Sequence, residues 1–349
     1  TARTMADPRF FDGLGPLPLH EIAALSGAAI SDSASGNDTV CEVAPISEAR
    51  AGRLCYLENG RLLKAHPDIR LDSVVILAPE SLAGALAERG AKVLVHPQPR
   101  AAFGRAVAGL FRPRELSAEH AIDPSARITP GVRLGVGVVI GADAEIGEKV
   151  MIGPGSVIAP GCRIGAGSRI GPRVVIQCAD LGENCNILSG AVIGEAGFGA
   201  AVSDEGLVDM PHLGTVEIAA SVTIGANSCV DRGLFGPTRI GEGTKIDNLC
   251  HIGHNCQVGR NVAMAAFAGV SGSCVIEDDV MFGGRVGLQD HITIGKGARI
   301  GGNSALAESV PAGETWMGDP AQPLRQYLRQ VSEVRRLARR DTRTPKKKD

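Results

Sequence analysis

Two of the chain's 8 histidines fall in one short run, Cys250-His251-Ile252-Gly253-His254-Asn255-Cys256, and His291 follows further along. Histidine is the side chain that most readily exchanges a proton near neutral pH, so a pair of imidazoles suits general-base chemistry. Histidine is also a common zinc ligand. The spacing leaves a three-histidine site from His251, His254 and His291 open beside the base reading. A lone histidine on a polar stretch is most often a surface residue, and His66, His96, His120 and His251 read that way.

What decides the geometry is the sequence around the cluster. A large apolar residue recurs every six positions, from Ile128 through Ile140, Ile152 and Ile164 to Ile176. After a one-residue slip the series runs through Leu181, Ile187 and Ile193, then Ile218, Ile224 and Val230, and finally from Ile240 to Leu306. A glycine often follows the large residue, and a small residue stands two places before it. Alternate side chains of a strand share a face, so the large and small residues both point inward. The glycine lets the chain turn sharply. Three such segments close a triangular coil of 18 residues, the signature of a hexapeptide β-helix. Known hexapeptide folds are left-handed, so the expected fold is mainly β: a left-handed parallel β-helix. Patterns such as Gly135–Gly137 and Gly165–Gly167 are then turn glycines, not dinucleotide loops.

The repeat also acts as a register. Cys162, Cys185, Cys250, Cys256 and Cys274 fall on the small inward position. A mixed Cys/His metal site is therefore poorly formed. His254 falls at an outward corner, facing solvent or a neighbouring subunit. Gly272 lies one coil on, Asp290 two coils on, and His291 is displaced by one residue from that corner. A base beside a bare backbone N–H suits acyl transfer, because the N–H can stabilise an oxyanion.

Two breaks interrupt the repeat: Glu195–Gly214, with Phe198 between two glycines, and the excess around Asp231-Arg232-Gly233. Function in a solenoid tends to sit at such insertions. Before the repeat, Ser73–Ala78 and Lys92–His96 read as buried strands. Pro18–Ser26, Glu80–Arg89 and Arg100–Leu110 read as helices. The expected division is an α/β domain at 1–115, the β-helix at 116–318 and a helical extension at 319–349. In that extension Leu324, Tyr327, Leu328, Val331, Val334 and Leu337 form an amphipathic stripe. One helix cannot bury it alone, so it should pack on the coils or on copies of itself.

Charge is balanced, with 36 basic and 38 acidic residues, which gives no global case for nucleic acid. The C-terminal end is basic from Arg325 to Lys348. Glycine is abundant, at 46 residues, and aromatics make up 3%, as expected for many tight turns around an aliphatic core. The 9 cysteines lack a disulfide framework and read as reduced, which favours a cytoplasmic location. No segment has the length of a membrane span. Thr1–Thr4 reads as a remnant before a natural start at Met5.

The run IDNLCHIGHNCQVG (Ile246–Gly259) resembles the active-site coil of the acyltransferases of lipid A biosynthesis. EAGFG (Glu195–Gly199), PHLG (Pro211–Gly214) and DRG (Asp231–Gly233) resemble their UDP-3-O-acylglucosamine N-acyltransferase branch. The likeness extends from about residue 10 to 340. The sister O-acyltransferases lack the N-terminal domain and carry Asp where Asn255 stands here. The resemblance implies a homotrimer with sites between subunits and no bound cofactor or metal. It implies transfer of a 3-hydroxyacyl chain from the 4'-phosphopantetheine of acyl carrier protein to the 2-amine of a UDP-3-O-acyl-glucosamine. His254 becomes the base, His291 an assistant at the substrate and the Gly272 N–H the oxyanion donor. Phe198, Gly199, Asp247 and Asn248 become substrate-binding residues. In Arg53–Arg61 (RLCYLENGR), Tyr56 stacks on uracil and Asn59 hydrogen-bonds it. Leu62 stands where the family has a second aromatic.

Chemistry fits this reading. A thioester donor has a good leaving group and needs no metal. A histidine suffices to keep the amine neutral. The helix Arg325–Arg340 would meet an acidic carrier protein, while Lys346–Lys348 is solvated. Met264, Met281, Phe282 and Met317 are the candidates for closing the acyl groove. The alternatives are a sugar-nucleotide acyltransferase using acetyl-CoA, a trimeric zinc enzyme of the carbonic anhydrase type and a non-catalytic scaffold.

Overall fold

The inward isoleucines stack on one another through most of the chain, and that column is the spine of the molecule. The computed structural model describes residues 5–65, 67–69, 71–117, 119–318 and 321–341. Thr1–Thr4, His66, Pro320 and Lys346–Lys348 lie outside the described residues, as do the side chains of Leu62, Arg339 and Arg340. From Arg127 to Trp316, short strands, most of two residues, alternate with turns and assemble into three parallel sheets of 9, 10 and 9 strands. The expected left-handed parallel β-helix is the architecture. Like stacks on like: Ile146 pairs with Ile164, Ile152 with Ile170 and Ile158 with Ile176. The slip appears as a shortened coil, in which Ile164 pairs with Leu181 and Ile170 with Ile187. The five cysteines at the small position are buried.

The breaks are insertions at coil corners. Leu181 pairs with Ile218 across the first, which contributes an antiparallel hairpin, Ala200–Ser203 with Gly206–Asp209. Ile218 pairs with Ile240 across the second. Regular stacking resumes with Ile252 on Val270.

Residues before the coils form helices α1 (Leu19–Ser26), α2 (Arg61–Ala65), α3 (Glu80–Ala87) and α4 (Pro99–Leu110) around a five-stranded sheet. The strands Val75–Ala78 and Lys92–Val95 lie where the sequence put them. Arg53–Tyr56 and two short strands join them; the sequence reading had found no strand there. The Arg9 guanidinium forks onto Asp180 at 2.8 and 2.9 Å and also holds Asp7, tying this region to a coil. Helix α4 carries the first insertion, since a Cβ on Gly104 would sit 3.0 Å from the Asp209 carbonyl oxygen.

Helix α5 (Leu324–Asp341) forms as expected, but its stripe is not packed on the chain's own coils. Leu324 is 70% and Val334 65% exposed, so any cover must come from elsewhere. Met264 and Phe282 point into the core and cannot close an outer groove, and Met281 lies on a different sheet face from His251. Among the described residues, no helix is long and apolar enough to cross a membrane.

Inward and outward positions should differ sharply. Ile276→Ala leaves a cavity in a dry column and should cost about 2–5 kcal/mol. Val275→Ala, its outward neighbour, should change stability by less than about 0.5 kcal/mol. Denaturant midpoints of the two variants test this, and equal losses would contradict the register.

Candidate active site

The site forms where the strand His251–Ile252 ends. Ile252 points inward and Gly253 turns the chain. A Cβ on Gly253 would lie 2.8 Å from the Gly272 nitrogen, so the two coils can approach only because the residue is glycine. His254 comes next and is half-buried. Asn255 takes a left-handed conformation (φ 60°), which asparagine tolerates better than most residues. Ser273 and His291 occupy the same corner on the following coils. The Ser273 N–H donates to the His254 carbonyl at 2.8 Å and the His291 N–H to the Gly272 carbonyl at 3.2 Å.

This stacking sets Gly272 against the imidazole, as the register implied. A Cβ on Gly272 would lie 2.6 Å from His254 Nε2. The Gly272 N–H donates to no acceptor among the described residues. Asn255 fixes the proton on His254. The Leu234 N–H donates to Asn255 Oδ1 at 2.9 Å, and Asn255 Nδ2 donates to the Phe235 carbonyl at 2.8 Å. Both backbone groups have fixed roles, so the amide cannot be reversed. Its oxygen, an acceptor, faces His254 Nδ1 at 3.0 Å. Nδ1 therefore carries the hydrogen, and the Nε2 lone pair faces Gly272.

The first insertion folds back over this corner. A Cβ on Gly197 would lie 2.8 Å from His254 Cβ and 3.0 Å from His212 Nε2, and one on Gly199 would lie 2.9 Å from His212 Cε1. The two glycines let the backbone rest on two imidazoles and leave Phe198 88% exposed between them. Arg232 clamps both ends of the insertion, donating from Nε to the His212 carbonyl at 2.8 Å and from Nη1 to the Gly194 carbonyl at 2.9 Å.

His212 escaped the sequence reading. Its ring meets that of His254 edge-on, with centroids 5.1 Å apart. Its Nδ1 lies 2.9 Å from the Met210 carbonyl and is therefore the donor. Its Nε2 is buried and has no hydrogen-bond partner among the described residues. Burial, and then the neighbouring His254, push its pKa from 6.5 down to about 4, so the ring is neutral at pH 7. Its signals in the sequence were a place in the PHLG motif and a position near the close of an insertion that opens with two glycines.

A cavity of about 800 Å³ is lined by His254, His291, Gly272, Phe198, Asp231 and His251. His251, expected as a plain surface residue, stands at this cavity with Nε2 3.4 Å from Asp231 Oδ2. A groove of about 840 Å³ follows another face past Glu217, Arg239 and Lys296, and no histidine or cysteine lines it. Asp247 and Asn248 are exposed on another corner, where Asn248 Oδ1 accepts the Ala226 N–H at 2.6 Å. Asn59 is exposed, accepting the Arg61 N–H at 3.0 Å. Tyr56 packs on Phe103 at 5.0 Å, and Phe103 meets Phe235 at 6.0 Å. None of Asp247, Asn248, Tyr56 and Asn59 lines the cavity. Among the described residues, no three His, Cys, Asp or Glu side chains converge to hold a metal ion.

Comparison with known proteins bears on the same segments. The six-repeat bacterial transferase hexapeptide model matches residues 143–178 and 237–272. The chain is 57% identical over 343 residues to UDP-3-O-acylglucosamine N-acyltransferase of Maricaulis maris (strain MCS10), covering 98% of this chain and 100% of that protein. It is 51% identical over 334 residues to the protein of the same name from Caulobacter sp. (strain K31), covering 96% and 97%. The solved UDP-N-acetylglucosamine acyltransferase from Campylobacter jejuni is 27% identical, with a TM-score of 0.40, over 65% of this chain and 86% of that one.

The His251–Asp231 pair has a testable sign. The hydrogen bond to Asp231 raises the His251 pKa above 6.5, against the effect of burial. Its contribution to stability is complete below about pH 6.5 and is lost as pH rises through the folded value. In Asp231→Asn the His251 ring protons should titrate at lower pH by NMR. An unchanged titration would show that the pair is not formed in solution.

Proposed function

The chain belongs to the UDP-3-O-acylglucosamine N-acyltransferases, acyltransferases of lipid A biosynthesis, and from that membership we propose its substrates and the residues that act on them. The donor is a 3-hydroxyacyl thioester on the 4'-phosphopantetheine of acyl carrier protein. The acceptor is the 2-amine of UDP-3-O-acyl-glucosamine. The observation that carries the assignment of roles is the contact between the His254 Nε2 face and Gly272.

The amine nitrogen attacks the thioester carbonyl as its proton passes to His254 Nε2. A C–N bond forms, and the carbonyl oxygen becomes an oxyanion beside the uncommitted Gly272 N–H. The intermediate collapses by breaking the C–S bond, and the thiolate leaves with the proton that His254 carried. The products are an amide and the carrier's free thiol. Asn255 keeps Nδ1 protonated so that Nε2 can accept. His291 and Phe198 line the same cavity as the base, and in this reading they contact the substrate. Asp247 and Asn248, one corner away, join the site when a neighbouring copy supplies them or the substrate spans the gap.

Residues 1–115 bind the uridine end, with Tyr56 as the stacking ring and Asn59 as the hydrogen-bonding partner. The active form is a homotrimer, for which the exposed stripe of α5 is the supporting feature. The basic residues of α5, Arg325, Arg329, Arg335 and Arg336, dock the acidic carrier protein.

His254→Ala should lower kcat at least about a thousandfold with the fold intact by circular dichroism. Gly272→Ala, which drives a methyl into the imidazole, should be about as damaging. Acyl carrier protein and acetyl-CoA offered in parallel should give product only from the carrier-borne chain. A wild-type rate in His254→Ala would remove the base assignment, and turnover with acetyl-CoA would replace the donor.

A further inference from the structure

His212 is a buried polar group beside His254 that the proposed mechanism does not use. A buried ring nitrogen without a hydrogen bond is costly and calls for an explanation. Here the cost is built in by neighbours. The Nδ1–H is committed to the Met210 carbonyl, Arg232 holds the His212 carbonyl, and Gly197 and Gly199 close over the ring. With Nδ1–H donated away, the imidazole dipole has its negative end at Nε2. One point, the place a Cβ would take on Gly197, lies 3.0 Å from that nitrogen, 2.8 Å from His254 Cβ and 3.1 Å from His254 Cδ2. The negative end and the His254 ring therefore border the same side of Gly197, in rings whose centroids are 5.1 Å apart.

Resting on the reading of His254 as the base, we propose that His212 is a positioning residue for acyl transfer: it backs the His254 ring and turns an uncommitted lone pair toward the imidazole that becomes positive during the reaction. A fixed dipole in a dry site stabilises developing charge without reorganising. A protonated His212 would do the opposite, and burial keeps it neutral well below pH 7. The charged and titratable groups facing it are His254, Arg232, Asp231 and, through Arg232 at 3.9 Å, Glu195. Arg232 is already engaged by two carbonyls and Glu195, and Asp231 pairs with His251 at 3.4 Å, whereas the His212 lone pair has no partner among the described residues. An amide oxygen could take over part of this role, whereas a hydrocarbon of the same bulk could not.

The test compares His212→Leu and His212→Gln with the full-length enzyme and with His254→Ala, using acyl carrier protein charged with a 3-hydroxyacyl chain. His212→Leu should lower kcat about tenfold with KM within about twofold, and move the acid limb of the kcat profile to lower pH. His212→Gln should recover most of the rate and of the limb. An inactive His254→Ala together with a full rate and unmoved acid limb in His212→Leu would overturn the inference while leaving the base intact. A fully active His254→Ala would instead overturn the base reading. Equal losses in the Leu and Gln variants without movement of the limb would reduce His212 to packing and also overturn the inference. Should His212→Leu not fold, His212→Met makes the same comparison, with the same outcomes deciding.

Discussion

The in-register parallel stacking of one coil on the next is the constraint from which the rest follows. Each coil hydrogen-bonds to its neighbours along all three sheets, and each inward isoleucine rests on its counterpart in the coil before. A shift of one residue would turn the apolar column outward. The position of every outward side chain is therefore set by an interior that takes no part in chemistry. His254 faces Gly272 because Ile252 must sit on Val270, not through any affinity between the two.

That regularity cannot by itself make a site. A plain coil offers outward side chains at fixed spacing, backbone groups paired within the sheets and a few unpaired corner groups such as the Gly272 N–H. The two insertions supply what it lacks. The second brings the Leu234 N–H and the Phe235 carbonyl to Asn255, which sets the tautomer of His254. The first brings His212 and the Gly197–Phe198–Gly199 backbone onto the same imidazole. Arg232 belongs to the second insertion and clamps the two ends of the first, so the loops hold one another as well as His254.

How much of this could be read from the sequence follows the same division. The period exposed the coil, the inward cysteines and the opposition of His254 and Gly272, because a fixed repeat converts residue number into position. It failed wherever position comes from a loop. His212 is 42 residues from His254 in the sequence, and no periodicity relates the two. The role of Asn255 hung on backbone groups of an insertion whose path the repeat does not fix. In the N-terminal region the strand Arg53–Tyr56 carries Arg and Cys beside Leu and Tyr, a mixed pattern that hides a buried strand. The apolar stripe of α5 was legible as a pattern, but its lack of a partner within the chain was not, since amphipathicity says only that a face needs cover.

The aromatic contacts join these parts. Tyr56 lies on Phe103, Phe103 meets Phe235, and the Phe235 carbonyl holds the amide that orients His254. Helix α4, which carries Phe103, also packs against the hairpin of the first insertion, and Gln98, the residue before it, donates from Nε2 to Asp204 Oδ1 at 2.7 Å. The N-terminal region thus touches both insertions and, through them, both supports of the His254 imidazole. The regular coil fixes the His254 backbone, and its ring is held by two irregular loops that lean on the N-terminal region. The same contacts put the aromatic ring assigned to the nucleotide in continuous packing with the residue that sets the proton on His254.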